Sequence, residues 1–161
     1  MIFCPVINWS INQKKRKDRI NTTSAISKAQ TGLRTHAIFT IGALVLQFVL
    51  GMITNLYVAF PDNTQPGELW DYARSQLPTL AHIVIGTLLL VSAVVFVIRA
   101  ARESNRHWLA SAVTGMIAII VAFLGGVMFT TFQADAYSLV MALGFIAAFV
   151  AYVWGLVVNQ R

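Results

Sequence analysis

Four long apolar segments, separated by short polar ones, dominate the pattern of hydrophobic positions along the chain. They run over residues 37–58, 79–98, 108–129 and 136–158, and none of them contains Asp, Glu, Lys or Arg. About 20 helical residues cross the ~30 Å hydrocarbon layer of a bilayer, so each segment is long enough to span it once. The pattern predicts an all-α transmembrane four-helix bundle over residues 35–161, with up-down-up-down connectivity.

Residues 1–34 precede the first apolar segment and are basic and rich in Asn, Ser and Thr, which predicts a largely disordered tail. A cluster of cations within this tail is expected to bind the anionic membrane surface, at about 1 kcal/mol per charge. The cluster consists of Lys14, Lys15, Arg16, Lys17 and Arg19. No cleavage site follows a short apolar core, so the tail is not predicted to be a cleaved signal peptide.

The positions of Lys and Arg predict how the bundle lies in the membrane, because cytoplasmic segments retain these residues and translocated segments do not. Eleven of the 12 lie in the tail, between the second and third apolar segments or at the C-terminus, and Arg74 alone lies on the opposite side. This distribution predicts that both termini are cytoplasmic. Aromatic residues near segment ends, among them Trp108 and Trp154, fit an interfacial belt.

The external segment, residues 61–78, is the one predicted connection with room for structure of its own. Pro66 is suited to open a short helix. The apolar side of that helix would consist of Leu69, Trp70, Tyr72, Ala73 and Leu77. Such a helix would lie on the outer surface as a lid over the bundle, and a plain tether with an interfacial anchor is the alternative.

Composition narrows the classes of function. With 57% hydrophobic and 11% charged residues, the chain is far from a soluble average, and the lipid bilayer is its expected partner. The basic residues form a tail rather than a patch, so no nucleic-acid partner is predicted. Cys4 is the single cysteine, which excludes an internal disulfide and a multi-thiolate metal site. No phosphate loop, carboxylate pair or activated nucleophile is recognisable, so the sequence does not predict an enzyme.

Small and polar residues recur at helical spacing in every apolar segment, a pattern typical of helix packing within membranes. They are His36, Thr40, Gln47, Gly51 and Thr54; His82, Gly86, Ala93 and Ala100; Ser111, Gly115, Ala118, Ala122 and Gly125; and Tyr137, Gly144, Ala148, Ala151 and Gly155. These four stripes predict the interior of the bundle.

His82 lies on one of these stripes, about one turn inside the external end of its segment, where an ionisable residue is a functional candidate. Three alternative roles fit this position. The first is a structural histidine that is hydrogen-bonded across the bundle, the second is an axial ligand to haem iron, and the third is a proton relay or substrate contact. A structural histidine needs a partner, and Thr54, Asn55 and Tyr137 are at the same predicted depth.

A haem at His82 needs a slot for the macrocycle and, for six-coordinate iron, a second ligand. Gly51 and Gly86 are candidates for the lining of that slot, and Met141 is a candidate second ligand. A dimer that joins two copies of His82 is a further arrangement. His36 lies about 25 Å from His82 by helix rise, too far for both to bind one iron.

Two short stretches carry a resemblance to a known family. They are Leu46-Gln47-Phe48-Val49-Leu50-Gly51 and, after the external segment, Leu80-Ala81-His82 with Gly86 one turn later. They resemble a helix pair of haem A synthase, and residues 118–158 echo the pair with Gly144 in the position of His82. The resemblance implies one four-helix half of that family's double bundle, with a haem or porphyrin pocket, in a bacterial inner membrane. The family's outer-loop cysteine pair is absent from this sequence.

Two hypotheses of function follow. The first is a haem-binding or haem-handling membrane protein related to respiratory-chain assembly. The second is a non-enzymatic structural or accessory subunit without a cofactor, which binds another membrane protein or a second copy of this chain. A channel or transporter is disfavoured, because the interior stripes carry too little charge and no apolar segment is interrupted by proline.

Overall fold

The computed structural model describes residues 6–59, 66–103 and 105–159, and this part of the chain is helical with no β-strand. The helices, in chain order, are α1 (Val6–Tyr57), α2 (Pro66–Ser75), α3 (Leu77–Arg102), α4 (Arg106–Phe132) and α5 (Asp135–Val158). The prediction of an all-α fold is confirmed.

Four helical segments are long and apolar enough to cross a membrane. They are Gln30–Tyr57, Leu77–Arg102, Arg106–Phe132 and Asp135–Val158. Each overlaps one of the apolar segments predicted from sequence, and the additional residues lie mainly at the ends. The chain therefore has the helices of a multi-pass membrane protein, in which every backbone polar group within the lipid is satisfied inside its own helix.

α1 is one unbroken helix from Val6 to Tyr57. Most of residues 1–34, whose composition predicts disorder, are therefore helical in the structure. The reason lies in local propensity, because no Gly or Pro occurs in α1 before Gly32, and Lys, Arg, Gln and Ala are favourable helix formers. The predicted membrane-surface cations are exposed on this helix, namely Lys14, Lys15, Arg16, Lys17 and Arg19. Cys4 lies outside the described residues.

The four long helices form two antiparallel pairs, α1 with α3 and α4 with α5, and contacts of α3 with α4 and of α1 with α5 complete the bundle. The residues predicted to face the interior are largely buried there. They include Thr40, Ala93, Ala100, Ser111, Gly115, Ala118, Gly125, Gly144, Ala148, Ala151 and Gly155. A Cβ added at Gly144 would lie 2.9 Å from the carbonyl oxygen of Ala118 and the amide nitrogen of Ala122. Small side chains thus allow the backbones to approach closely.

Three aromatic side chains fill the bundle interior near the α3–α4 connection. The ring of Phe96 lies 5.9 Å from that of Trp108 and 5.5 Å from that of Tyr152, measured between centroids, and all three side chains are fully buried. Trp108 therefore does not belong to the interfacial belt that its place at a segment end predicts. Because α3 continues to Arg102, the packed interior extends past the predicted segment end and includes the indole.

Two helix ends in the bundle have well-defined caps. The side-chain oxygen of Asn105 accepts hydrogen bonds from the backbone N–H groups of His107 and Trp108, which caps the start of α4. α4 ends at Phe132, and the next residue, Gln133, adopts the left-handed conformation with φ 53° and donates its backbone N–H to the carbonyl oxygen of Phe129. A side chain in this conformation costs roughly 1 kcal/mol relative to glycine.

α2 is the short helix predicted in the external segment, and it begins at Pro66. It packs against α3 and α4 through the buried side chains of Leu69 and Ala73. The Tyr72 hydroxyl also donates a hydrogen bond of 2.9 Å to the carbonyl oxygen of Ala59. Leu77, predicted on the apolar side of this helix, belongs to α3 instead and is exposed.

Candidate functional site

A cavity of about 240 Å³ lies among the helices and is lined by residues of all five. One lining residue from each helix is Gln47, Trp70, His82, Phe123 and Phe145. The walls are mainly apolar, and no described Asp, Glu, Lys or Arg side chain lines them. On the α1–α5 side the rings of Phe48 and Phe145 stack, with their centroids 4.9 Å apart. Trp70 contributes from α2, so the short helix covers part of the cavity.

Two hydrogen bonds join Gln47 of α1 to His82 of α3. The Gln47 amide Nε2 donates to the carbonyl oxygen of His82 at 2.9 Å, and Nδ1 of His82 lies 3.2 Å from the carbonyl oxygen of Gln47. Because a carbonyl oxygen only accepts, Nδ1 carries the proton, and Nε2 is the unprotonated nitrogen of the neutral ring. No described residue hydrogen-bonds to Nε2, so its lone pair is available.

The partner of His82 is this backbone carbonyl rather than any of the predicted side chains. Thr54 and Asn55 line the same cavity, but neither hydrogen-bonds to the imidazole. The cause is local, because Gly51 has no side chain and the ring can approach the backbone of α1. A Cβ added at Gly51 would lie 3.0 Å from Cε1 of His82.

Gly51 and Gly86, the candidates for the lining of a haem slot, both line the cavity. Their immediate role is to make room for neighbouring side chains. Gly51 accommodates the imidazole of His82, and a Cβ added at Gly86 would lie 2.8 Å from the amide nitrogen of Gln47. The two glycines therefore allow the hydrogen-bonded pair to form beside the cavity.

Three further polar atoms of the cavity-lining residues are buried and have no hydrogen-bond partner among the described residues. They are Oε1 of Gln47, Oγ1 of Thr54 and Oγ1 of Thr79. Sequence reasoning placed Gln47 and Thr54 on an interior stripe but missed Thr79. Thr79 lies one turn before His82 on the same face of α3, so helical spacing would have found it had the stripe been extended to the first turn.

Met141, the candidate second ligand, lines the cavity from α5 and packs against two glycines of α4. Its Cγ and Sδ atoms lie 3.1 and 3.2 Å from the positions that Cβ atoms of Gly125 and Gly126 would take. Met141 therefore faces Gly125 in the α4–α5 pair as His82 faces Gly51 in the α1–α3 pair. Gly144, the predicted counterpart of His82, packs closely against Ala118 and Ala122 of α4.

His36 belongs to a different polar cluster, farther along the α1–α3 interface. Arg99 donates to its Nδ1 at 3.5 Å, so the hydrogen bond of 2.8 Å between Nε2 and the Ser92 hydroxyl has Nε2 as donor. His36 does not line the cavity, which agrees with the expectation that it cannot share an iron with His82. His107 is exposed at the start of α4, where its ring lies 6.1 Å from that of Trp154.

Comparison with known proteins does not assign the chain to a family. No family model matches it, no curated protein matches it, and no solved structure matches it. Within the described ranges, no group of three or more His, Cys, Asp or Glu side chains could hold a metal ion on its own. Function is therefore argued from the cavity and the residues that line it.

Proposed function

We propose that the protein is a multi-pass membrane protein that binds a lipid-soluble small molecule in this cavity, with His82 as its principal polar contact. The hydrogen bond from Nδ1 to the Gln47 carbonyl carries the proposal, because it fixes the ring and leaves Nε2 with a free lone pair. Histidines that bind a metal are commonly fixed in this way through their other ring nitrogen. An apolar pocket with a few placed polar groups is the usual composition of a small-molecule site.

Haem is the first candidate ligand, because the resemblance to haem A synthase implies a porphyrin pocket. The donor atoms fit, since His82 is a neutral imidazole with Nε2 unprotonated, and the thioether of Met141 lines the same cavity. Bound haem would supply an iron centre for electron transfer or for binding a small gas. The cavity of about 240 Å³ is smaller than the roughly 300–1,000 Å³ of typical ligand pockets, so a macrocycle requires its walls to move apart.

Absorption spectroscopy of the purified protein tests haem as the ligand. Protein from haem-supplemented cells is expected to show a Soret band, and His82→Ala is expected to weaken it severalfold. His107→Ala is the matched control, because it removes an exposed imidazole that does not line the cavity. A colourless preparation, or a Soret band that survives His82→Ala unchanged, removes haem from the proposal.

An accessory subunit of a membrane complex, which binds another membrane protein or a second copy of this chain, is the second candidate. The length of α1 favours this function, because the helix begins at Val6 whereas its membrane span begins only at Gln30. The turns of α1 that precede Gln30 carry exposed cations, and they form a helical surface outside the bundle to which a partner can bind. This function predicts that a partner co-purifies in mild detergent, that removal of residues 6–20 releases it, and that His82→Ala does not.

We also propose that both termini lie on the cytoplasmic side of a bacterial inner membrane, and α2 on the opposite side, because cytoplasmic segments retain Lys and Arg. The support is that the exposed cations of α1 and the pair Arg99 and Arg102 lie at the same end of the bundle, since Gly32 approaches the guanidinium of Arg99. In this orientation the cavity is near the external surface.

A further inference from the structure

The cavity reaches the outer surface of the bundle along one face of α1. Three residues of α1 both line the cavity and are exposed, namely Phe48, Met52 and Asn55. Their spacing of four and then three residues stacks them on one face of the helix, over about 10 Å of its length. Among the described lining residues of the other helices, Phe123 alone is exposed. The main opening of the cavity therefore lies beside α1.

The other seams between neighbouring helices are closed beside the cavity. The hydrogen bonds between Gln47 and His82 hold the α1–α3 seam together. In the α4–α5 seam, Gly144 packs against the backbone of α4. α2 packs across α3 and α4 through the buried side chains of Leu69 and Ala73. The opening beside α1 therefore lies in the remaining seam, between α1 and α5.

The stacked rings of Phe48 and Phe145 are the ring contact that joins α1 to α5 beside the cavity. No hydrogen bond joins residues 44–55 to residues 138–148, all of which the structure describes. In lipid no hydrophobic effect holds two helices together, because the lipid chains are as apolar as the side chains. A hydrocarbon chain can therefore lie in this seam in place of protein contacts without a change in the polarity of the surroundings.

The opening lies within a membrane span, so hydrocarbon rather than water is outside it. Met52 belongs to the span Gln30–Tyr57, and the walls behind it are mainly apolar. The unpaired hydroxyl oxygens of Thr54 and Thr79 are covered by protein, so a molecule in the cavity does not contact them. Apolar cavities stay dry, and an empty one forfeits the dispersion contacts that its walls could form. A hydrocarbon chain from the bilayer supplies those contacts.

We infer that the cavity is a binding site for the hydrocarbon chain of a membrane lipid, which enters from the bilayer between α1 and α5, past Met52. The inference rests on the binding of a lipid-soluble molecule proposed above, and it names the class of that molecule and its route. The cavity of about 240 Å³ suits a narrow chain. Because the opening is continuous with the lipid-facing surface of α1, the headgroup of the lipid stays outside the bundle.

Photo-crosslinking of the full chain in lipid nanodiscs tests this inference. The probe is a phosphatidylcholine with an aliphatic diazirine near the methyl end of its palmitoyl chain, and peptide mass spectrometry locates the adducts. We expect adducts at Leu89 and Ile119, which line the cavity and are only 4% and 6% exposed, besides those at lipid-facing residues such as Val91. Ala93 and Phe96 are buried but do not line the cavity, so they should carry none. Adducts confined to the outer surface overturn the inference.

Two alanine substitutions in α5 test whether the chain lies in the cavity. Ala142 lines the cavity, so Ala142→Phe places a ring there and is expected to lower the adduct yield at Leu89 and Ile119 by roughly fivefold or more. Ala147→Phe is the matched control, because Ala147 is exposed on the same helix and does not line the cavity. It should leave both yields within about twofold of those of the unmodified chain. Equal losses in the two variants contradict the inference.

Two methionine substitutions test the route. Met52→Trp narrows the opening through which the chain passes and is expected to lower the adduct yield at Leu89 and Ile119 by roughly threefold or more. Met128→Trp is its control, because Met128 is exposed to the same extent on α4 and does not line the cavity. If Met52→Trp leaves both yields unchanged, the chain does not enter between α1 and α5.

The inference and the proposed binding function fail in different ways. If a Soret band that depends on His82 is present and Leu89 and Ile119 carry no adducts, the cavity binds haem and the inferred ligand class is wrong. If both the Soret band and the interior adducts are absent, the binding function itself is wrong. Interior adducts in a colourless preparation support the lipid chain and remove haem as the ligand.

Discussion

Gln47 and His82 hold α1 against α3 through a reciprocal pair of hydrogen bonds, in which each side chain contacts the backbone carbonyl of the other residue. Both acceptors belong to helix backbones, so the orientation of the imidazole is set by two rigid elements rather than by a mobile side chain. Interhelical hydrogen bonds in membranes contribute about 0.6 kcal/mol on average and up to about 1.7 kcal/mol. The pair therefore orients His82 more than it stabilises the bundle.

Gly86→Ala tests this pair, because the new Cβ would meet the Gln47 amide nitrogen, whose bond to His82 must then break. Alanine gains about 1 kcal/mol of helix propensity over glycine, and the lost hydrogen bond offsets it. We expect no net stabilisation in the unmodified chain. In a Gln47→Ala background, Gly86→Ala should raise the free energy of unfolding by about 1 kcal/mol.

The measurement is a double-mutant cycle, with the free energy of unfolding in detergent followed by circular dichroism. A coupling of about 1 kcal/mol between the two positions is expected, since the residues share one hydrogen bond. If Gly86→Ala has the same effect in both backgrounds, the Gln47 amide does not occupy the space beside Gly86.

Gly144→Ala is expected to lower the free energy of unfolding by about 1–3 kcal/mol. The added Cβ would lie 2.9 Å from backbone atoms of Ala118 and Ala122, and helix backbone cannot move aside as a flexible side chain can. Gly42→Ala is the control, because a Cβ added at that position of α1 would have no neighbouring atom within 4 Å. That change should be neutral or stabilising by up to about 1 kcal/mol, and equal effects at both sites would contradict the α4–α5 packing.

Gln133→Gly is expected to raise the free energy of unfolding by about 1 kcal/mol. Glycine adopts the left-handed conformation of this helix end without steric cost, and the substitution also removes the unpaired amide nitrogen of Gln133. Ala134→Gly serves as the comparison, because Ala134 has φ −93° and gains nothing from glycine. A loss of stability in Gln133→Gly would mean that the side chain has a partner in the folded protein.

Labelling of single cysteines with a membrane-impermeant maleimide tests the proposed orientation. Cys4 is the single cysteine, so the unmodified chain in intact spheroplasts should react only after the membrane is permeabilised. A Ser75→Cys variant in a Cys4→Ser background should react without permeabilisation, because Ser75 is exposed at the end of α2. The reverse pattern would invert the bundle in the membrane.

The helices and their inward faces were predictable, because both depend on patterns of composition. Apolar length predicts the spans, and the recurrence of glycine and alanine predicts contacts such as that of Gly144 with α4. The burial of Trp108 could not be predicted in this way. Tryptophan at the end of an apolar segment suits either an interface or a buried packing site, and only the length of the neighbouring helix decides between them.

The site was predictable only in part. His82 stood out as an ionisable residue on an interior stripe, but its hydrogen-bond partner is a backbone carbonyl, which no side-chain pattern reveals. The position of Thr79 on the face of His82 follows from helical spacing, but its unpaired hydroxyl is a property of its surroundings and not of its position in the sequence. Met141 lines the cavity, and its contact with Gly125 depends on the register of two helices, which the sequence does not reveal.

The absence of charged side chains from the described walls of the cavity determines what controls its occupancy. An elementary charge that crosses the bilayer gains or loses about 2.3 kcal/mol per 100 mV, whereas an uncharged molecule entering an uncharged cavity moves no charge through that field. For an uncharged ligand, membrane voltage and ionic strength are therefore expected to leave the bound fraction unchanged. The occupancy by such a ligand would depend instead on the number of ligand molecules per protein in the surrounding lipid.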